Sequence, residues 1–316
     1  ALRYGSRSRP GTMVSTWLNG LVSGTAASGG AYFAGGNPAT ARVDKFAFPT
    51  DGRTTLSAAL SATTYSLAGA ANSGTAAYFA GGNNFSADIS TVDKFAFSDD
   101  SRSTLGTGLT SATRSLAGAA NSGTAAYFAG GTSPELSRVD KFAFSDDGRS
   151  TLSPGLSTTN YYLAGAANSG TAAYFAGGYS GGALTTVNKF AFSDDGRTTL
   201  STGLSAATKL LAGAANSGTA AYFAGGEAAA RVATVDKFAF SDDSRTTLST
   251  GLSSARDASA GAADSGTAAY FAGGSTGSYV DTVDKFAFSD DSRTTLSTGL
   301  SSALGYAGGA ADSGTL

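Results

Sequence analysis

Pairs of adjacent aspartates recur along the chain, each inside a Ser-Asp-Asp-Ser or Ser-Asp-Asp-Gly segment. Paired carboxylates can bind Ca²⁺ or act as general acid and base, but two carboxylates alone supply too few ligands for Ca²⁺. Aspartate is also common in tight turns, where its side chain hydrogen-bonds to nearby backbone. We therefore interpret the pairs as turn residues, and we expect the arginines that follow them, such as Arg102 and Arg245, to be their ion-pair partners. The five pairs are Asp99-Asp100, Asp146-Asp147, Asp194-Asp195, Asp242-Asp243 and Asp290-Asp291.

The composition removes most other catalytic chemistry. The chain has no histidine and no cysteine, so it lacks thiolate nucleophiles, zinc-thiolate sites and the commonest general base and metal ligand. We therefore expect no cofactor, no metal and no enzymatic activity, and a hydrolase or lyase is the disfavoured alternative. With 14% charged residues and a net charge of −2, no nucleic-acid partner is predicted. No apolar run is long enough to predict a membrane span.

A ten-residue segment, SGTAAYFAGG, occurs five times, and a shortened form occupies residues 28–36. The spacing between the tyrosines of successive copies is 46 to 49 residues. A period of this length, with several short strands in each unit, is typical of the blades of a β-propeller. The six repeat tyrosines are Tyr32, Tyr78, Tyr127, Tyr174, Tyr222 and Tyr270.

Each repeat contains four predicted strands, which we call a, b, c and d. In residues 210–252 they read LLAGAANSG, TAAYFAGG, TVDKFAFSDD and SRTTLSTGL, with alternation typical of strands. Strand a consists of small residues, which suits the narrow centre of a propeller. The phenylalanine pair of strand c, such as Phe238 and Phe240, would fill the wider gaps between blades. The sequence therefore predicts an all-β fold, a six-bladed β-propeller of four-stranded antiparallel blades.

The ends of the chain determine how the ring would close. Residues 307–315 repeat the strand a pattern, whereas no seventh strand b follows, so we expect the C-terminal strand to complete blade one. Residues 21–27 are a competing candidate that matches the repeat less well. We assign residues 31–316 to the propeller and residues 1–30 to an N-terminal segment. That segment contains Met13 and Trp17 and could be an anchor to another protein.

Differences between the copies fall on one predicted face. In antiparallel blades the a–b and c–d turns share one face, and these turns are nearly constant here. The b–c loops and d–a connections share the opposite face, and they vary freely. Drift of long loops is one explanation, but aromatic and arginine enrichment favours a binding surface. The predicted ligand-binding residues are Tyr65, Phe85, Arg114, Glu135, Tyr161, Tyr162, Tyr179, Lys209, Glu227, Arg256, Asp257, Tyr279 and Tyr306.

The repeat resembles the Kelch family of β-propellers. The resemblance covers about residues 31–316 and consists of a strand b that ends in Gly-Gly, a variable loop, a strand with an aromatic pair and an outer strand. Arginine before strand a, usual in that family, occurs only as Arg114 and Arg256. The tryptophan usual on the outer strand is replaced by Leu56, Leu105, Leu152, Leu200, Leu248 and Leu296.

The repeated KFAFSDDSRTTL segments are also similar to Kelch-like repeats of bacteriophage tail or fibre proteins. That resemblance implies a non-enzymatic virion protein that binds a glycan or protein on the host surface and contacts other virion proteins through its N-terminal segment. A lectin-like or adhesion propeller, extracellular or on a bacterial cell surface, is the alternative. Association of several copies of the chain is left open.

Overall fold

The computed structural model describes residues 29–132 and 134–312, which form 24 strands and no helix. The strands make six separate sheets, each of four antiparallel strands in the order a, b, c, d from the centre outward. The sheets are arranged as the blades of a six-bladed β-propeller, as the sequence predicts. The proposed anchor, with Met13 and Trp17, and the competing closing segment at residues 21–27 lie outside the described residues.

The strands are numbered β1 to β24 in chain order, and β24 belongs to the first blade. Blade one contains β24 (Gly308–Ala311), β1 (Gly30–Ala34), β2 (Val43–Ala47) and β3 (Gly52–Thr55). Blade two contains β4 (Ala68–Asn72), β5 (Ala76–Ala80), β6 (Val92–Ala96) and β7 (Arg102–Thr104). Blade three contains β8 (Ala117–Asn121), β9 (Ala125–Ala129), β10 (Val139–Ala143) and β11 (Arg149–Thr151). Blade four contains β12 (Ala164–Asn168), β13 (Ala172–Ala176), β14 (Val187–Ala191) and β15 (Arg197–Thr199). Blade five contains β16 (Ala212–Asn216), β17 (Ala220–Ala224), β18 (Val235–Ala239) and β19 (Arg245–Thr247). Blade six contains β20 (Ala260–Asp264), β21 (Ala268–Ala272), β22 (Val283–Ala287) and β23 (Arg293–Thr295).

The C-terminal strand closes the ring. Strand β24 pairs antiparallel with β1, so that Ala311 lies opposite Ala31 and Gly308 lies opposite Ala34. The backbone N–H of Asp312 then donates to the carbonyl of Gly30 at 2.9 Å. Blade one is therefore built from both ends of the described chain, and the prediction of C-terminal closure is confirmed.

Six glycines, one from each inner strand, meet around the propeller axis. A Cβ atom on Gly69 would lie 2.2 Å from the carbonyl oxygen of Gly309, and one on Gly118 would lie 2.1 Å from that of Gly69. The same contact continues around the ring through Gly165, Gly213 and Gly261. Inner strands this close leave no room for a side chain at these positions, which explains the Ala-Gly composition of strand a.

Aromatic side chains fill the space between neighbouring blades. Tyr32 of blade one packs in one cluster with Phe79, Phe95 and Phe97 of blade two, and its ring centroid is 5.1 Å from that of Phe97. Phe79 and Phe95 meet edge to face at 5.8 Å. Each fully buried aromatic of this kind stabilises the fold by roughly 1.5–3 kcal/mol. The phenylalanine pairs of strand c thus fill the gaps between blades as expected.

Removing strand β24 tests the closure. Deletion of residues 308–316 leaves the backbone edge of β1 unpaired and uncovers Phe33 and Tyr32, so we expect a melting midpoint lower by about 10 °C or more. Deletion of residues 1–20 is the control, since those residues precede the first repeat, and the melting midpoint should be unchanged. Equal or greater damage from the N-terminal deletion would contradict closure by β24.

Candidate functional site

The first aspartate of each pair serves its own turn. The Oδ1 atom of Asp99 accepts the backbone N–H of Ser101 at 3.0 Å, and that of Asp194 accepts the N–H of Gly196 at 2.9 Å. Asp146 makes the equivalent bond to Gly148. These bonds hold the tight turn between strands c and d, as the sequence predicts, and they engage each exposed carboxylate locally.

The second aspartate joins two blades. Asp195 accepts the hydroxyl of Tyr127 at 2.8 Å and the Nζ atom of Lys141 at 2.7 Å, both from the preceding blade. The same lysine lies over the Tyr127 ring, 5.3 Å from its centroid. A Tyr-Lys-Asp group therefore connects every blade to the next. The six groups are Tyr32-Lys45-Asp100, Tyr78-Lys94-Asp147, Tyr127-Lys141-Asp195, Tyr174-Lys189-Asp243, Tyr222-Lys237-Asp291 and Tyr270-Lys285-Asp51.

The predicted pairing of the turn aspartates with arginines is wrong. Arg102 lies 3.4 Å from Asp93, and Arg245 lies 3.9 Å from Asp236, both of which are strand c residues of the same blade. Each arginine sits on an outer strand directly across from strand c, so the strand c carboxylate is its neighbour. The turn carboxylates instead face backbone N–H groups or the preceding blade.

Burial perturbs the tyrosines of these inter-blade groups. Loss of hydration, opposed by Lys94 and reinforced by the Asp147 carboxylate, raises the pKa of Tyr78 to about 12. The pKa values of Tyr127 and Tyr174 are raised more strongly, first by burial and then by the carboxylate that accepts a hydrogen bond from the hydroxyl. These phenols therefore remain protonated and donate to the aspartate carboxylates.

The opposite face brings most of the predicted ligand-binding residues together. The d–a connection of each blade forms a short backbone bridge to the b–c loop that starts beside it. Tyr65 bridges to Asn83, and Lys209 bridges to Glu227. The variable segments therefore form one continuous surface around the axis, which we call the variable face. The bridges from the other blades join Asn37 to Gly305, Arg114 to Thr132, Tyr161 to Tyr179 and Asp257 to Ser275.

A closed ring of six backbone hydrogen bonds surrounds the axis at this face. The N–H of each member donates to the carbonyl of the equivalent residue in the preceding blade, at 2.8 to 2.9 Å. All six members have φ between 54° and 60°, a left-handed conformation that residues other than glycine adopt rarely. Such strain is often found at functional positions. The ring members are Ser66, Ser115, Tyr162, Leu210, Ala258 and Tyr306.

Aromatic residues outside the repeat scaffold are concentrated on the variable face. Of the 13 tyrosines and 19 phenylalanines, the repeat uses one tyrosine and three phenylalanines in each of six blades. In the part of the chain that the structure describes, every remaining one lies in a b–c or d–a segment. We call this set the aromatic band: Tyr65, Phe85, Tyr161, Tyr162, Tyr179, Tyr279 and Tyr306.

Four tyrosines of the band form a continuous row across the axis. The ring centroids of Tyr179 and Tyr161 are 5.4 Å apart, and those of Tyr161 and Tyr162 are 4.8 Å apart. Tyr162 and Tyr306 stand three places apart in the ring of six, and their aromatic rings meet over its centre at 6.5 Å. The row therefore extends from the loop of blade four to the opposite side of the axis.

The rest of the band lies on the side of Tyr306. Tyr65 and Phe85 pack at 4.8 Å, and Phe85 is 52% exposed at the tip of its loop. Tyr279 lies against Gly305, where an added Cβ would be 3.0 Å from Cε1 of that tyrosine. Burial, followed by neighbouring Asp257 and Tyr65, raises the pKa of Tyr279. The band is thus a partly exposed surface of phenol and phenyl rings.

A small pocket opens at the centre of the variable face. Its volume is about 70 Å³, and its wall includes the six ring members and the residues that follow them, such as Leu67 and Leu163. The Oγ atom of Ser115 is buried there without a hydrogen-bond partner. The ring positions differ between the six copies of the repeat. The sequence did not predict the backbone ring or the pocket, because no glycine or asparagine at these positions indicates a left-handed conformation.

Charged residues of the predicted set are mostly paired. Lys209 lies 3.6 Å from Glu227 and also over the ring of Tyr179 at 5.3 Å. Arg114 pairs with Asp88 at 2.9 Å. Glu135 is exposed, and its carboxylate lies 3.4 Å from the Thr159 hydroxyl.

Arg256 and Asp257, both predicted to contact a ligand, are placed inside the protein. Arg256 is completely buried, with its guanidinium 2.9 Å from Asp284 and donating to the carbonyl of Phe271 at 3.0 Å. Asp257 is 3% exposed and pairs with Arg231 at 3.2 Å. A buried charge needs such a partner, so these residues support the loops and contribute almost no surface to the variable face.

Among residues 29–132 and 134–312, no group of three or more acidic side chains is arranged to hold a metal ion. The same residues contain no helix that could cross a membrane. No protein-family model matches the chain, and no curated protein is significantly similar to it in sequence.

Alkaline titration tests the inter-blade groups. Phenols titrate near pH 10 in the unfolded chain and at higher pH in the fold, so their contribution to stability is complete below pH 10 and is lost as pH rises through about 12. We expect phenolate absorbance from the six blade tyrosines to appear together with loss of β structure by circular dichroism. Ionisation of these tyrosines near pH 10 in the intact fold would contradict the burial described.

Proposed function

We propose that this protein is a non-enzymatic recognition module that binds a partner through the variable face. The concentration of non-scaffold aromatics on that face carries the proposal, because tyrosines that are partly exposed and held by neighbouring rings are typical of binding surfaces. On the opposite face, which carries the a–b and c–d turns and which we call the constant face, the second aspartates link blades and the first ones stabilise turns. That division leaves the variable face as the surface on which copies of the repeat differ in chemistry.

Loop drift accounts for the variable face less well. Drift explains differences in length and sequence among the b–c loops. It does not explain why Tyr162, Leu210 and Tyr306 occupy left-handed backbone positions beside the axis, where small or flexible residues would cost less. It also does not explain why additional aromatics avoid the turns of the constant face.

We further propose a Kelch-like propeller that belongs to a phage virion, as a tail or fibre protein that binds a host-surface glycan or protein. The six-bladed fold and the Gly-Gly ending of strand b support a Kelch-like propeller. The similarity of the repeated KFAFSDDSRTTL segments to repeats of phage tail or fibre proteins supports a virion protein. An extracellular adhesion propeller of a bacterium is the second candidate.

The source of the protein separates these two candidates. Mass spectrometry of purified phage particles and of bacterial envelope fractions should detect the protein in the particles, in a fixed ratio to other virion proteins. Recovery from the envelope of uninfected cells would instead favour the bacterial adhesin.

Substitution on the two faces tests the recognition surface. We expect Tyr161→Ala with Tyr162→Ala to reduce binding by about tenfold or more, since each aromatic anchor costs about 2 kcal/mol or more when truncated. Binding of the labelled protein to intact bacterial cells and to a printed oligosaccharide array measures the effect.

The control is Asp146→Ala with Asp194→Ala on the constant face. These first aspartates are exposed, whereas Asp147 and Asp195 would loosen the contact between blades if changed. The control should bind as the unchanged protein does, and both variants should retain their circular dichroism. Loss of binding in the aspartate variant alone would overturn the proposed function.

A further inference from the structure

We infer that the ligand of the variable face is a neutral oligosaccharide that lies along the aromatic band, an inference that rests on the proposed function. The band offers flat rings and phenol hydroxyls, with almost no charge left free beside them. Sugars present C–H faces that stack on aromatic rings, and they present hydroxyls that donate and accept hydrogen bonds. An acidic glycan would instead require cations positioned to meet its carboxylates.

The cations beside the band are already neutralised. Lys209 is held between Glu227 and the face of Tyr179, and Arg231 is held by buried Asp257. Arg114 is paired with Asp88, and Arg138 with Asp140. A carboxylate on a ligand would have to displace one of these partners, and in the case of Arg231 it would leave a buried carboxylate unpaired, at a large cost.

Three charged residues of the described variable segments form no ion pair: Arg42, Glu135 and Asp281. The guanidinium of Arg42 is engaged by the hydroxyls of Ser302 and Thr40. Glu135 is close enough to Tyr161 that it contributes, after burial, to raising the pKa of that tyrosine. The free charge nearest to the row of tyrosines is therefore negative, and it would repel an anionic ligand.

Tyr306 remains an uncharged hydrogen-bond donor at neutral pH. Burial, followed by the neighbouring tyrosines and carboxylates, raises the pKa of Tyr306 to about 12. A protonated phenol can donate one hydrogen bond and accept others, which matches the hydroxyls of a sugar. Six tyrosines on one surface thus provide polar contacts without a net charge.

The shape of the band favours a linear ligand with several sugar units. The row Tyr179, Tyr161, Tyr162 and Tyr306 crosses the axis, so successive rings can support successive sugars. The central pocket of about 70 Å³ is too small for a whole saccharide but has room for a single projecting group. The unpartnered hydroxyl of Ser115 would gain a hydrogen bond from such a group.

Matched pairs of glycans provide the test. The full chain is titrated calorimetrically with neutral linear hexose oligosaccharides of differing linkage and with the same backbones carrying a uronic acid. We expect a neutral oligosaccharide to bind, with affinity that changes less than about twofold between low and high salt, because no ion pair forms. Tyr162→Ala and Tyr306→Ala should each weaken that binding by about tenfold, and their circular dichroism should be unchanged.

Glu135→Gln is the charge control. It should improve binding of the acidic version several-fold while leaving the neutral ligand unaffected, because it removes the free carboxylate beside Tyr161. Salt-sensitive preference for the acidic glycans, capture of a protein partner through the same tyrosines, or failure of every neutral glycan to bind would each overturn this inference. The first two results would leave the proposed recognition function standing, whereas full binding to cells by Tyr161→Ala with Tyr162→Ala would overturn that function itself.

Discussion

The close approach of six inner strands at the propeller axis is the constraint on which the rest of the structure depends. An atom added at Gly69 would overlap the backbone of Gly309, and the same holds around the ring. Small residues are therefore required at the centre, and the bulk that separates the blades must come from strands b and c. Tyr32 and Phe46, which are completely buried, fill that role in blade one, and their counterparts do so in every blade.

This geometry separates a repeated scaffold from one variable surface. The Tyr-Lys-Asp groups connect neighbouring blades and fix the c–d turns, so the constant face changes little from copy to copy. In the described part of the chain the variable loops contain no Tyr-Lys-Asp group, although the backbone ring through Tyr162 and Tyr306 holds the starts of the inner strands. A scaffold that is stabilised elsewhere can accept strained backbone and partly exposed aromatics at one face, as binding sites often require.

The repeated sequence predicted much of the fold, because periodic glycines, the alternation of the strands and the number of copies of strand b can be read directly from the order of the residues. The partner of Asp195 could not be predicted in the same way, since Tyr127 lies 68 residues earlier and only the packing of blades brings them together. Arg256 looked like a surface residue because its segment is variable, yet its charge is buried against Asp284. The left-handed ring also lacked a sequence signal, since Tyr162 and Leu210 rarely adopt such a conformation.

The positions of the tyrosines suggest the most direct measurement of where binding occurs. Nuclear magnetic resonance of the chain with ¹³C-labelled tyrosine rings would separate the blade tyrosines, such as Tyr127 and Tyr174, from those of the aromatic band, such as Tyr162 and Tyr306. Titration with the neutral oligosaccharide that binds most tightly should shift the band signals and leave the blade signals in place. Shifts confined to the blade tyrosines, beside the Asp-Asp turns, would contradict recognition by the variable face.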